Sequence, residues 1–144
     1  MALIQITTSA GVLDTVQRQA LARQTGAFVF TAEGFGASRL APNLTWAVFH
    51  ELPGHAILLG TGERLASLYH VEVTTLRGAL DGDAKAHVGA QITEALLIAE
   101  GVGHTPENAM RVWVRFIDVA DGDLIVGGQP ASLAGLRELV AQAG

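Results

Sequence analysis

Thr7-Thr-Ser-Ala-Gly-Val-Leu-Asp14 and Thr74-Thr-Leu-Arg-Gly-Ala-Leu-Asp81 are one passage written twice, and reading them together decides the fold. Each joins the end of an alternating stretch to a glycine turn and an aspartate placed to cap a helix. Working outward at the same offset of 67, residues 1–66 lie over residues 68–133 without a gap. The superposition matches Gln24 with Gln91, Glu33 with Glu100, Gly34 with Gly101, Gly36 with Gly103, Trp46 with Trp113, Phe49 with Phe116 and Gly60 with Gly127. Such a period is too long for a solenoid repeat, so the chain reads as one supersecondary unit fused to its copy.

In the first copy Ala2 to Thr8 alternates as a strand, with Leu3, Gln5 and Thr7 on one face and Ala2, Ile4, Ile6 and Thr8 on the other. Asp14 caps a helix predicted to run to about Gly34, where Gly34 and Gly36 stop it. A loop holding Pro42 and Asn43 leads into a strand beginning at Trp46, and Pro53-Gly54 turns the chain into a short hairpin toward Ile57, Leu58 and Leu59. In the second copy Leu68 to Thr75 is the strand. The helix begun by Asp81 carries Ala84, Val88, Gln91, Ile92, Ala95, Leu96 and Ala99 on one stripe, which predicts one buried face. Thr105-Pro106-Glu107 sets an N-cap before a proline at the first helical position, ahead of a strand over Arg111 to Asp118. A helix over Leu133 to Val140, with Leu133, Leu136 and Val140 on one side, has no counterpart in the first copy.

Composition narrows the function. A chain of 144 residues that is 49% hydrophobic is read as a single domain, 1–144, with residues 131–144 as a C-terminal extension. A net charge of −5 and nine Lys plus Arg argue against a nucleic-acid partner, whose phosphates demand clustered cations. Mean hydropathy is high at +0.35, yet Glu33, Arg39, Glu94 and Glu100 break the apolar stretches well short of the roughly 20 residues of a membrane span. No membrane partner is expected, and the excess hydrophobicity is assigned to a subunit interface. Without cysteine there is no thiolate chemistry, and His50, His55, His70, His87 and His104 lack the close spacing of ligands, so neither metal nor cofactor is expected. The N-terminus lacks the features of a signal peptide, which makes the cytoplasm the default location. Gly60-Thr61-Gly62 and Gly127-Gly128 are tight turns, since neither opens a helix after a strand as a phosphate loop does.

Strand, helix and strand make a right-handed parallel crossover. The expected architecture is therefore α/β: two fused βαβ units forming a four-stranded mixed sheet with two helices on one face. The opposite sheet face is left bare, which predicts an obligate homo-oligomer. A ferredoxin-like βαββαβ domain shares the element order but interleaves its strands.

The glycine turn before an Asp-capped helix, the Thr-Pro-Glu-Asn-x-x-Arg-Val-Trp-Val run at 105–114 and the Leu-Ile-Val-Gly-Gly hairpin at 124–128 resemble the tautomerase superfamily over residues 2–130. The fused halves resemble its long members, the migration-inhibitory-factor-like and cis-3-chloroacrylic-acid-dehalogenase-like proteins. The resemblance implies a homotrimer. It also implies proton transfer on a small carbonyl or carboxylate ligand, a 2-oxo or enol acid, by an N-terminal proline whose amine is tuned by an apolar pocket. Arginines hold the substrate carboxylates in that family.

The chain departs from that pattern at its centre. Ala2 stands where the proline would be, and the family's site arginines fall on Val12 or Ala79 and on Trp46 or Trp113, its pocket phenylalanine on Ile57 or Leu124. Removal of Met1 before the small Ala2 would leave the Ala2 amine in the proline's place, with a reference pKa of roughly 7.7–8.0. Retention of Met1 would move the amine by up to about 3.6 Å. The candidate site is accordingly Ala2 as the catalytic amine, with Arg77, Arg115 and Trp113 as substrate-binding residues. Arg77 precedes the glycine instead of following it, and Arg115 is charged where its repeat partner Val48 is apolar. Against the enzyme stands a non-catalytic trimeric scaffold or ligand-binding member that has lost proline-dependent chemistry. In that reading Arg77 and Arg115 are solvated or interface charges and Trp113 is an interface aromatic.

Overall fold

A computed structural model describes residues 1–65 and 67–144; residue 66, the last of the first copy, lies outside the described residues. Strand β1 (Ala2–Ser9), helix α1 (Thr15–Ala32) and strand β2 (Thr45–Leu52) form the first unit. Strand β3 (Tyr69–Leu76), helix α2 (Gly82–Glu100), the one-turn helix α3 (Pro106–Ala109) and strand β4 (Val112–Val119) form the second. The sheet order is β2-β1-β3-β4, with β1 parallel to β2, β3 parallel to β4, and β1 antiparallel to β3 at the centre. The halves therefore meet edge to edge, and the interleaved ferredoxin-like order is excluded.

Local chemistry repeats with the chain. Asp14 accepts the backbone N–H of Gln17 in a capping box, and Asp81 accepts that of Ala84. The turns entering both helices place Gly11 and Gly78 at φ +86°, a conformation that disfavours side chains. Arg18 in the first turns of α1 holds Glu51 at 2.6 Å, and Lys85 in α2 holds Asp118 at 2.8 Å, so each helix start is tied to the end of its own second strand.

Ile4, Ile6, Val71 and Val73 point from the central strands into a cluster with Leu21 and Val29 of α1 and Val88, Ile92 and Leu96 of α2. Both helices thus cover one face, and burial of each such side chain is worth about 1.5–3 kcal/mol. The opposite face carries Gln5, His50, Glu72 and Arg115 between two tryptophans, Trp46 and Trp113, which are 69% and 68% exposed. No helix among the described residues is long and apolar enough to cross a membrane.

Three expectations are revised. The predicted hairpin after β2 does not form strands; a turn closes instead through the Leu59 N–H to the Glu63 carbonyl at 2.9 Å. Only the second copy has the hairpin, as β5 (Ile125–Val126) against β6 (Gln129–Pro130). The loop at Pro42 is a 3-10 turn over Ala41–Leu44. The last helix, α4 (Leu133–Ala143), is capped by Ser132 and runs beyond Val140. Its Leu136 and Val140 build a second apolar cluster with Phe35, Ala41 and Leu76, against which Met1, Leu44 and Leu124 pack.

Candidate functional site

Duplication produces two pockets. The first, of about 410 Å3, lies where β1 begins: Met1, Ala2 and Leu3, the 3-10 turn residues Asn43 and Leu44, Trp46, Thr74 and the β5 hairpin line it. The second, of about 470 Å3, is built from the repeat partners of all these residues. Tyr69 replaces Ala2, His70 replaces Leu3, Met110 replaces Asn43, Arg111 replaces Leu44, Trp113 replaces Trp46 and Ile57 replaces Leu124.

Beside each pocket a helix ends in a glutamate. In the first, Glu33 caps α1, its side chain is wholly buried, and Oε2 accepts a hydrogen bond from the Met1 amino group at 3.0 Å. Oε1 has no partner among the described residues. Burial pushes the Glu33 carboxyl above the usual carboxylate range, while the amine's charge and hydrogen bond pull the other way without restoring it. In the second, Arg111 donates from Nη2 to Glu100 Oε2 at 2.7 Å and from Nη1 to Oε1 at 3.1 Å. The Tyr69 hydroxyl donates to Oε1 at 3.2 Å, and Arg111 also engages Ser67 and Asn108.

Burial acts on Glu100 too, but hydrogen bonds from Arg111, Ser67 and Tyr69 and the Arg111 charge outweigh it and hold the carboxyl low. The Arg111 guanidinium is held protonated by its hydrogen bond to Glu100, against a smaller effect of burial. The Tyr69 phenol is pushed up by burial and then by the neighbouring carboxylate. One pocket holds a closed ion pair. The other holds a carboxylate paired with the chain's own amine.

The four candidates named from sequence do not converge in one chain. Ala2 is 7% exposed and lines the amine pocket. Trp113 lines the second pocket, its indole N–H donating to the Met110 carbonyl at 3.1 Å. Arg77 is exposed in the turn after β3 and lines neither pocket, although its backbone N–H binds the Val119 carbonyl at 2.8 Å. Arg115 stands on the open face, 4.0 Å from Glu72 Oε1. Glu33, Asn43, Leu44 and Thr74 were not singled out; the identity of Glu33 and Glu100 across the repeat was the signal available for the first. Among the described residues no three metal-ligating side chains come together.

Fused parallel βαβ halves and one bare sheet face define the class as a duplicated α/β sheet protein. The chain has the tautomerase fold in its fused form. No family model matches the sequence, and no curated protein does. Among solved structures, the R7 fused 4-OT wild-type asymmetric trimer is similar with a TM-score of 0.73 at 19% identity, covering 92% of this chain and 98% of that one. N1, a member of the cis-3-chloroacrylic acid dehalogenase family, has a TM-score of 0.73 at 17% identity, covering 95% and 88%. Pt0534 inactivated by 2-oxo-3-pentynoate has a TM-score of 0.73 at 18% identity, covering 90% and 96%.

Proposed function

We propose that this chain is a cytoplasmic homotrimeric tautomerase-like protein that moves a proton on a small 2-oxo or enol carboxylic acid with its N-terminal amine. The observation that carries the reading is the chain start itself: Ala2, whose amine is freed if Met1 is removed, lines an apolar pocket, and the ion pair of the Met1 amine with the buried Glu33 sets a carboxylate behind it. Burial raises the affinity of Glu33 for a proton, so its carboxyl holds a neighbouring ammonium less firmly than an exposed carboxylate would. The amine takes the enol hydroxyl proton and returns one to the α-carbon, so the ketone forms with no net change in the protein. Asn43 and Thr74 offer hydrogen bonds inside the pocket, and Trp46 closes its rim. Arg77 and Arg115 are proposed to hold the substrate carboxylate from a neighbouring copy, since neither lines a pocket in its own chain. Trp113 lines the other pocket, so its proposed substrate contact would likewise come from a neighbouring copy.

The bare face with its exposed tryptophans, and a trimeric structural neighbour, support the assembly. A second reading, a non-catalytic trimer, is favoured by the same ion pair, because an ammonium that stays bound to Glu33 is not a base. Ketonisation of phenylenolpyruvate by the untagged protein, with intact mass, decides between them. Turnover that is abolished by acetylation of the terminus supports the enzyme. A retained Met1 with no turnover supports the non-catalytic trimer.

A further inference from the structure

The second pocket is as large as the first, yet no terminal amine stands at it. Of its described lining residues only Arg111 carries a fixed charge, and Glu100, Ser67 and Asn108 already occupy that guanidinium. The Tyr69 hydroxyl is likewise committed to Glu100. An anionic ligand would therefore find no open cation there, and binding one would require breaking a bidentate pair.

The walls are largely apolar. Leu58 and Leu59 come from the turn after β2, and Met110 and Trp113 from α3 and β4. The indole of Trp113 is held in place by its bond to the Met110 carbonyl, so one aromatic face is set before any ligand arrives. At the floor, Thr7 and His70 are register partners on the two central strands and supply the polar atoms. At the equivalent position of the amine pocket His70 is replaced by Leu3.

We infer that this pocket is a separate binding site for a small uncharged planar molecule, an aromatic ring bearing one hydroxyl or carbonyl group that Thr7 and His70 can bond. It is distinct from the amine pocket and stands whether or not that pocket turns over a substrate.

The chain makes the test simple, because each pocket holds one of its two tryptophans. In Trp46→Phe, the remaining Trp113 is titrated by fluorescence with 2-naphthol and separately with the anion 2-naphthoate. The expected result is saturable quenching by 2-naphthol, and binding of 2-naphthoate weaker by about tenfold or more for want of an open cation. Leu58 is half exposed, so Leu58→Glu in the Trp46→Phe background should keep the far-ultraviolet circular dichroism while weakening 2-naphthol by about tenfold, through a charge in the apolar wall. The inference is overturned by an unsaturable Trp113 response, by 2-naphthoate binding as tightly as 2-naphthol, or by binding that Leu58→Glu leaves intact. It is also overturned if Trp113 fluorescence changes on protein dilution alone and dilution is needed before 2-naphthol binds, since the pocket is then filled by a second copy.

Discussion

Glu33 and Glu100 hold the same place at the ends of two helices, yet the first is closed by the Met1 amine at 3.0 Å and the second by Arg111 at 2.7 Å. The carboxylate is the same in both copies, and its counter-charge differs. Leu44, where the second copy has Arg111, removes the guanidinium and leaves a buried carboxylate to whatever cation the strand start supplies.

The two carboxylates should bend the stability curve in opposite directions. The folded value of Glu33 is raised, so above the usual carboxylate range the folded chain keeps a proton that the unfolded chain has lost, and stability falls as pH rises through the raised value. Urea unfolding of Glu33→Gln over about pH 4 to 8 should show the variant gaining on the wild type as pH increases. A difference that is flat with pH would contradict the assigned burial cost.

Glu100 has the reverse sign. Its folded value is lowered, so its contribution is complete above the usual carboxylate value and disappears as pH falls through the lowered one. Arg111→Leu, which imitates the first copy, should cost about 2 kcal/mol at neutral pH by stranding a partly buried carboxylate, and should lessen the acid-side loss. Equilibrium unfolding at neutral and acid pH checks both parts.

Ala2→Pro restores the residue type that the resembled enzymes use, at the first residue of a strand where proline is tolerated. Phenylenolpyruvate ketonisation should rise. No change would mean that the pocket has lost more than its base.

The bare face should hold the assembly. Val48 lies on it beside Gln5, and Val48→Asp introduces a charge where a second copy would pack. Sedimentation should show a trimer for the wild type and smaller species for the variant, with unchanged helix content.

Helix α4 should matter to one pocket only, since its Leu136 packs in the cluster that includes Met1, Leu44 and Leu124. Leu136→Ala should cost about 2–5 kcal/mol. It should also speed acylation of the terminal amine, while leaving Trp113 fluorescence unaltered.

Much of the fold was legible because its signals are local and occur twice: Asp14 and Asp81 as caps, Gly11 and Gly78 as turns, and the alternation of Ile4 and Ile6 against Gln5 and Thr7. The hairpin after β2 was misread because apolar Ile57 to Leu59 suggests a strand; these side chains face a pocket and find no ladder partner. The site was harder to read. Trp113 and Ala2 sit in different pockets, and sequence spacing says which copy a residue belongs to, not which cavity it faces. Pocket walls cross between copies, as Leu124 reaching Met1 and Ile57 reaching the surroundings of Leu68 illustrate. Glu33 was visible only as a repeated letter, since nothing local announces that a helix-end carboxylate will be buried against the start of the chain.

The peptide bond that joins the two halves has a chemical consequence of its own. Leu68 is the repeat partner of Met1, but its nitrogen is an amide, planar and without a usable lone pair, so it can neither accept a proton nor attack a carbonyl. Fusion therefore fixes the stoichiometry at one terminal amine for every two cavities. In the second cavity Tyr69 and Arg111 stand where the start of a chain would have been.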